Sequence, residues 1–257
     1  MMKNLIFMKL YKLLSFSFLL ATLTSCTFTE NIHVNDNGTG KFSVDIDGSA
    51  LMAMAGDQIG QQMGAEAKKS IDTTFTFKKL FEEKKDSIAK LSPETQKELK
   101  KLENYVVNTK MNAEQKEFLM KISNDFKNVN ELQDVLQALS AFQKLESAAN
   151  ATAPFGGGFG NNNSKLSFSY DGKKFSRKAV VNKKDAEKKQ ESEADMSKMI
   201  FASSNYILQY HFPKRIKKAS NPNAVFSDDR KTITIQYPFT DYMENPDKLN
   251  FDVEFEK

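Results

Sequence analysis

One cysteine, two histidines and no tryptophan in 257 residues exclude several functions before any pattern is read. A lone thiol closes no intrachain disulfide, so packing alone must hold the fold. His33 and His211 each sit alone in a strand-like run, with no partner at metal-ligand spacing. The chain contains no G-x-S-x-G nucleophile elbow. The glycine-rich stretch "AANATAPFGGGFGNNNS", residues 148–164, lacks the lysine and hydroxyl residue that complete a phosphate-binding loop. The absence of indole weighs against a carbohydrate platform of stacked tryptophans. No catalytic constellation surfaces, so the expectation is a non-enzyme without cofactor or metal. Residues 1–25 hold three lysines and no acid, so losing them lowers the formal charge from +4 to +1. The basic excess that nucleic-acid binding normally requires goes with them.

What is present at the start is a leader. Lys3, Lys9 and Lys12 precede an apolar run from Leu13 to Leu23, the layout of an export signal. A membrane span needs about 20 apolar residues, and this run is roughly half that. It ends in Leu23-Thr24-Ser25-Cys26, which resembles the lipobox of bacterial lipoproteins. The resemblance implies that Leu23, Thr24 and Ser25 are read by signal peptidase II, that residues 1–25 are discarded, and that Cys26 carries diacylglycerol. Each buried methylene adds about 0.8 kcal/mol, so several acyl chains anchor stably.

The remaining chain reads as hairpins and helices. Phe28, Ile32 and Val34 alternate in one run, with Glu30 alone breaking the apolar face, and Phe42, Val44 and Ile46 alternate in the next. Asn37-Gly38 between them is a hairpin signal. Residues 49–69 read as a helix with Ser49 as its N-cap. Thr73–Phe77 reads as extended, and Ser92-Pro93 as the start of another helix. A hairpin joins Tyr105, Val107 and Met111 to Phe118, Met120 and Ile122. Asn130 and Gln133 form a capping-box pattern before an amphipathic helix through Leu132, Val135, Leu136, Leu139, Phe142 and Leu145. Residues 149–164 read as a linker. A third hairpin turns at Asp171-Gly172, a charged helix runs over 185–202, and the end alternates as strand. The expectation is an α+β fold, an antiparallel sheet with helices on one face, made of an N-terminal part 26–148 and a strand-rich part 165–257.

Three features invite a functional reading. Gly56, Gly60 and Gly64 form a stripe flanked by Met52, Met54, Ile59 and Met63. This is either an adaptable apolar binding face or a helix packed closely on the sheet, and burial is the usual fate of such a stripe. Lys214, Arg215, Lys217 and Lys218 could meet anionic headgroups, or form a solvated turn and edge strand. Asp45 and Asp47 lack the further oxygens of a calcium loop, and strand alternation already turns them outward.

The stretches "ENIHVNDNGTGKFSVDIDGSALM", "DFKNVNELQDV" and "YILQYHFPKRIKKASNPNAVFSDDRKTITIQYPFTDY" resemble a family of Bacteroidota lipoproteins with no assigned reaction. The D/N-G hairpin behind the lipobox is remotely similar to LppM-like lipoproteins, whose domain is thought to bind lipids. In Bacteroidota an acidic run behind the cysteine accompanies surface exposure. "CTFTEN" has none, which implies the periplasmic face of the outer membrane. Asp72-Thr73-Thr74 and Asp86-Ser87-Ile88 are similar to the short O-glycosylation sites of that group. These resemblances lead to a lipid-anchored binding or envelope-assembly factor with an apolar or protein partner. A lipid carrier with an internal cavity is the alternative, and an enzyme of unknown class the third reading.

Overall fold

The computed structural model describes residues 25–53, 70–136, 164–181, 199 and 201–257. Strand β1 (Thr27–Val34) pairs antiparallel with β2 (Gly40–Asp47), from Thr27 opposite Asp47 to Val34 opposite Gly40. The Asn37-Gly38 turn closes as anticipated, with Gly38 at φ +80°, a conformation glycine adopts without steric cost. Gly40 is fixed by contact: a Cβ there would stand 2.0 Å from the His33 carbonyl oxygen.

Further strands are β3 (Ile71–Thr76), β4 (Val106–Asn112), β5 (Glu117–Phe126), β6 (Ser164–Tyr170), β7 (Lys174–Val181) and β8 (Asn205–His211). They are followed by β9 (Ile216–Ala219), β10 (Val225–Phe226), β11 (Thr232–Pro238) and β12 (Phe251–Phe255). Eight of them form one sheet in the order β10-β11-β8-β1-β2-β5-β4-β3, and four form a second, β6-β7-β12-β9. The β1–β8 contact is parallel, so residues from the N-terminal and C-terminal parts of the chain lie side by side at the centre of the large sheet.

The α+β expectation is therefore corrected. Strand accounts for 47% of the described residues and helix for 22%. The layer over the apolar face is largely the second sheet. The helices α1 (Phe77–Glu83), α2 (Lys85–Ile88), α3 (Pro93–Lys100) and α4 (Phe239–Glu244) are short. Period-2 alternation identifies a strand but does not say which of two sheets receives it. The alternation of β6 and β12 was legible, and their separation together with β7 into a covering layer was not.

The two sheets share one core. Phe175 on β7 is fully buried and meets Tyr210, Phe212 and Phe251 at ring distances of 5.5, 5.0 and 6.2 Å. Phe28 on β1 stacks on Phe239 of α4 at 3.9 Å. Edge-to-face and offset ring contacts of this kind add about 0.5–1.5 kcal/mol each beyond area burial.

Two local expectations also shift. Ser49 is not an N-cap. The helix that begins there takes its first bonds at the Gly48 carbonyl, which accepts from Leu51 and Met52, while the Ser49 hydroxyl accepts from the Phe118 N–H. Tertiary bonding claims the side chain that local propensity had assigned to capping. The Asn130–Gln133 capping box is likewise absent. Asn128 caps a 3₁₀ turn at Val129–Glu131, the chain extends through Asp134, and helix resumes at Val135. Leu132, Val135 and Leu136 are buried as their spacing anticipated, while Leu139, Phe142 and Leu145 lie outside the described residues, as do most of the 149–164 linker and the 185–202 helix.

Candidate functional site: a polar groove backed by a buried ion pair

Alternation along the central strands gives the large sheet two unlike faces. Inward go Phe28, Ile32, Val44, Leu208, Tyr210 and Ile233, all buried. Outward, the registers align side chains from neighbouring strands in transverse rows. One row runs Thr232, His211, His33, Lys41, Asp125 across β11, β8, β1, β2 and β5. The next runs Thr234, Gln209, Asn31, Ser43, Ser123, and the third Gln236, Ile207, Thr29, Asp45, Lys121.

This outer face holds an open groove of about 800 Å³ lined by residues of the first two rows together with Asn104, Val106 and Lys121. A second groove of about 480 Å³, lined by Thr27, Thr29, Asp45, Asp47, Asp72, Asn108 and Lys110 among others, shares Lys121 with it. In the floor, the Asn31 amide donates to Ser43 Oγ at 3.3 Å and to Asp45 Oδ2 at 3.0 Å. Lys121 Nζ meets Asp45 Oδ1 at 3.2 Å.

The two histidines that the sequence left isolated stand together here. Their rings stack at 4.4 Å and 13°, because parallel β1–β8 pairing sets His33 opposite His211. His211 Nδ1 lies 3.0 Å from Thr232 Oγ1. Partial burial and neighbouring His33 pull His211 below the ordinary imidazole value, with Asp229 opposing. Stacked, near-parallel rings hold their nitrogen lone pairs in separate planes rather than aiming them at one point, and no cluster of three metal-binding side chains occurs among the described residues.

Beneath the groove, Glu30 explains the break in β1. It is 2% exposed and faces Arg177 of β7, 1% exposed, across the inter-sheet space. Arg177 Nε donates to Glu30 Oε1 at 3.2 Å and Nη2 to Oε2 at 3.4 Å, while Nη1 donates to the Leu249 carbonyl at 3.3 Å. Tyr206 donates to Glu30 Oε2 at 2.6 Å, and Tyr210 donates to Oε1. Tyr242, stacked on Tyr206 at 4.5 Å, donates to Asp134 at 2.7 Å. Desolvation would drive Arg177 down, but Glu30 reverses this and holds it above its usual range. Burial first and Glu30 second push Tyr206 and Tyr210 up. Each member satisfies another, which is the condition under which buried charge is tolerated.

The sequence-derived site residues are dispersed. Ser25 and Cys26 directly precede β1, while Leu23 and Thr24 fall outside the described residues. Cys26 is 5% exposed. Burial pushes its thiol up, with the Leu51 backbone and Ser204 pulling the other way. Met52 is 2% exposed in the core, while Met54, Ile59 and Met63 lie outside the described residues. Lys214 and Arg215 follow β8 at the end of the sheet opposite Cys26, and Lys217 and Lys218 lie on edge strand β9. Glu256 meets Arg215 at 3.4 Å and Glu254 meets Lys218 at 3.1 Å. Asp45 is tied to Lys121 and Asn31, and Asp47 accepts from the Ser49 N–H.

No protein-family model and no curated protein matches this chain. Among solved structures it is similar to the NMR structure of the Mycobacterium tuberculosis LppM folded domain, with TM-score 0.36 and 6% identity, covering 90% of this chain and 89% of that one. At that score the likeness is remote and carries no argument about site or ligand.

Proposed function

We propose that this chain is a lipid-anchored, non-enzymatic binding or envelope-assembly factor, tethered through Cys26 to the periplasmic face of the outer membrane. The observation that carries the proposal is the position of the lone cysteine behind the leader: Cys26 immediately precedes β1, one strand of the central β1–β8 pair. Acyl chains there would set one end of the large sheet against the bilayer. The eight residues of β1 then carry the histidine end of the groove about 26 Å away.

Burial of Cys26 sets a condition on this reading. A desolvated thiol with a raised pKa is a poor nucleophile, so acylation has to precede folding, and the modified residue has to leave the contact with Ser204. A core cysteine that is never modified is the second reading, favoured by the 5% exposure. The space between the sheets is occupied by Phe175, Tyr210, Phe251 and the Glu30–Arg177 pair, which favours surface binding over the internal-cavity carrier. His211 does meet a hydroxyl at Thr232, but no carboxylate is hydrogen-bonded to the ring among the described residues. That is the third group which would orient such a base, so the arrangement supports reading the pair as part of a binding surface.

The test is labelled-palmitate incorporation and membrane fractionation of the full chain beside Cys26→Ser. The expected result is label and membrane retention for the parent and neither for the variant. A variant that is still cut after Ser25 and fractionates like the parent would end the lipid-anchor reading in favour of the core thiol.

A further inference from the structure

We propose that the outer groove takes a neutral, hydroxyl-rich polymer, a glycan chain lying across the strands. The inference rests on the binding-factor reading and names the ligand class of that site.

The row Gln209, Asn31, Ser43, Ser123 places four uncharged hydrogen-bonding side chains from β8, β1, β2 and β5 side by side, with Ser43 buried beneath the donating Asn31 amide. Adjacent strands lie about 4.8 Å apart, a spacing comparable to one pyranose unit. The Gln209 amide carries a donor and an acceptor side by side, Asn31, whose nitrogen is engaged with Ser43 and Asp45, offers its oxygen, and the Ser123 hydroxyl can serve as either, which matches the vicinal diols of a sugar. Gln209 and Ser123 have no side-chain hydrogen-bond partner among the described residues, so both are available to a ligand. Carbon surface is interspersed, from Val106, the Lys41 stem and the edges of the two imidazoles, as an amphipathic sugar ring requires.

The same lining disfavours other ligands. A polyanion needs a cluster of uncompensated cations, yet of the two lysines lining the groove Lys121 is held by Asp45 at 3.2 Å, and Lys41, without an ion pair among the described residues, stands alone opposite Asp125 in the register. An acyl chain would strip water from the amides and hydroxyls without replacing their hydrogen bonds. The absence of tryptophan removes one mode of sugar binding, the stacked indole, and leaves hydrogen bonding across the strands.

The experiment is calorimetric titration of the detergent-solubilised full chain with cellohexaose, maltohexaose and chitohexaose, alongside heparin and phosphatidylglycerol vesicles. The expected result is saturable binding of at least one neutral hexasaccharide with Kd below about 1 mM. Binding should be insensitive to salt and weakened at least tenfold by Gln209→Ala combined with Ser123→Ala, a variant whose unchanged melting curve certifies its fold. Failure of all three sugars, preference for heparin or vesicles, or indifference to the double substitution overturns the proposal. A photo-crosslinker placed at Gln209 separates the two levels. Capture of an envelope protein while the sugars fail leaves the binding-factor reading standing and removes the glycan, whereas silence in both arms removes both.

Discussion

The two faces of the large sheet are built from the same strands and handle polarity in opposite ways. On the inner face of β1 a single carboxylate, Glu30, is sealed from water and bonded by Arg177, Tyr206 and Tyr210. One residue further along, Asn31 opens the outer face, where amides, hydroxyls and paired charges remain hydrated. Dielectric makes the difference. A buried charge must be fully partnered or it destabilises the fold by several kcal/mol, whereas an exposed pair is worth about 0–1 kcal/mol because water screens it. The inner network therefore locks the two sheets in one register, and the outer groove is free to offer its polar groups to something else.

The largest expected effect tests the inner face. Glu30→Ala or Arg177→Ala leaves a buried charge unpaired and should lower unfolding stability by about 3–5 kcal/mol in urea titrations. Replacing both together with leucine removes the charges in concert and should recover most of that loss. Single variants costing less than about 1 kcal/mol would place this pair with exposed ones and abolish the contrast. Tyr210→Phe should be milder. It removes a hydrogen bond to a charged group while keeping the ring between Phe175 and Phe251, for about 1.5–3 kcal/mol. A double-mutant cycle with Glu30→Gln should show strong coupling.

Stability against alkali sharpens the same point. Burial first, then Glu30, raises Tyr206 and Tyr210; burial first, then Asp134, raises Tyr242. A raised phenol binds its proton more tightly in the folded state than in the unfolded one. Its contribution is whole below the unfolded value near pH 10 and is lost as pH climbs above it. Urea midpoints should therefore hold up to about pH 10 and fall beyond it, with ultraviolet absorbance showing the three phenols ionising only on unfolding.

How much of this was legible is clearest residue by residue. Asn37-Gly38, Asp171-Gly172 and the alternations of β1, β2, β8 and β11 announce themselves locally, since turn chemistry and period-2 burial are properties of a few neighbouring residues. Glu30 announced itself only as an anomaly. Its partner stands 147 residues away in a strand where Phe175, Ser176 and Arg177 are buried in succession, so β7 lacks the alternation that would mark an inward arginine. The histidine pair was hidden for a different reason. His33 and His211 meet through a parallel register between strands from opposite ends of the chain, and no hairpin links those strands. Locally, each histidine is only the polar half of an alternating strand. The second sheet was invisible in the same sense, because strand identity is a local property and sheet membership is global.

The smallest effects belong to the outer face and complete the contrast. Gln209→Ala should change stability by no more than about 0.5 kcal/mol, since the side chain is exposed and unbonded. The histidines add a pH dependence of definite sign. His211 is lowered, by burial first and His33 second, with Lys231 adding to the effect and Asp229 opposing it; Lys41 flanks His33 on β2. A lowered imidazole binds protons less well folded than unfolded, so its contribution is whole above the unfolded value near pH 6.5 and declines as pH falls below it. Thermal midpoints should therefore drift down below about pH 6.5, and His33→Gln should flatten the drift by removing the neighbour against which the second charge must be placed. A profile that rises on acidification, or is unaltered in that variant, would show that the stacked rings are not coupled as their geometry requires.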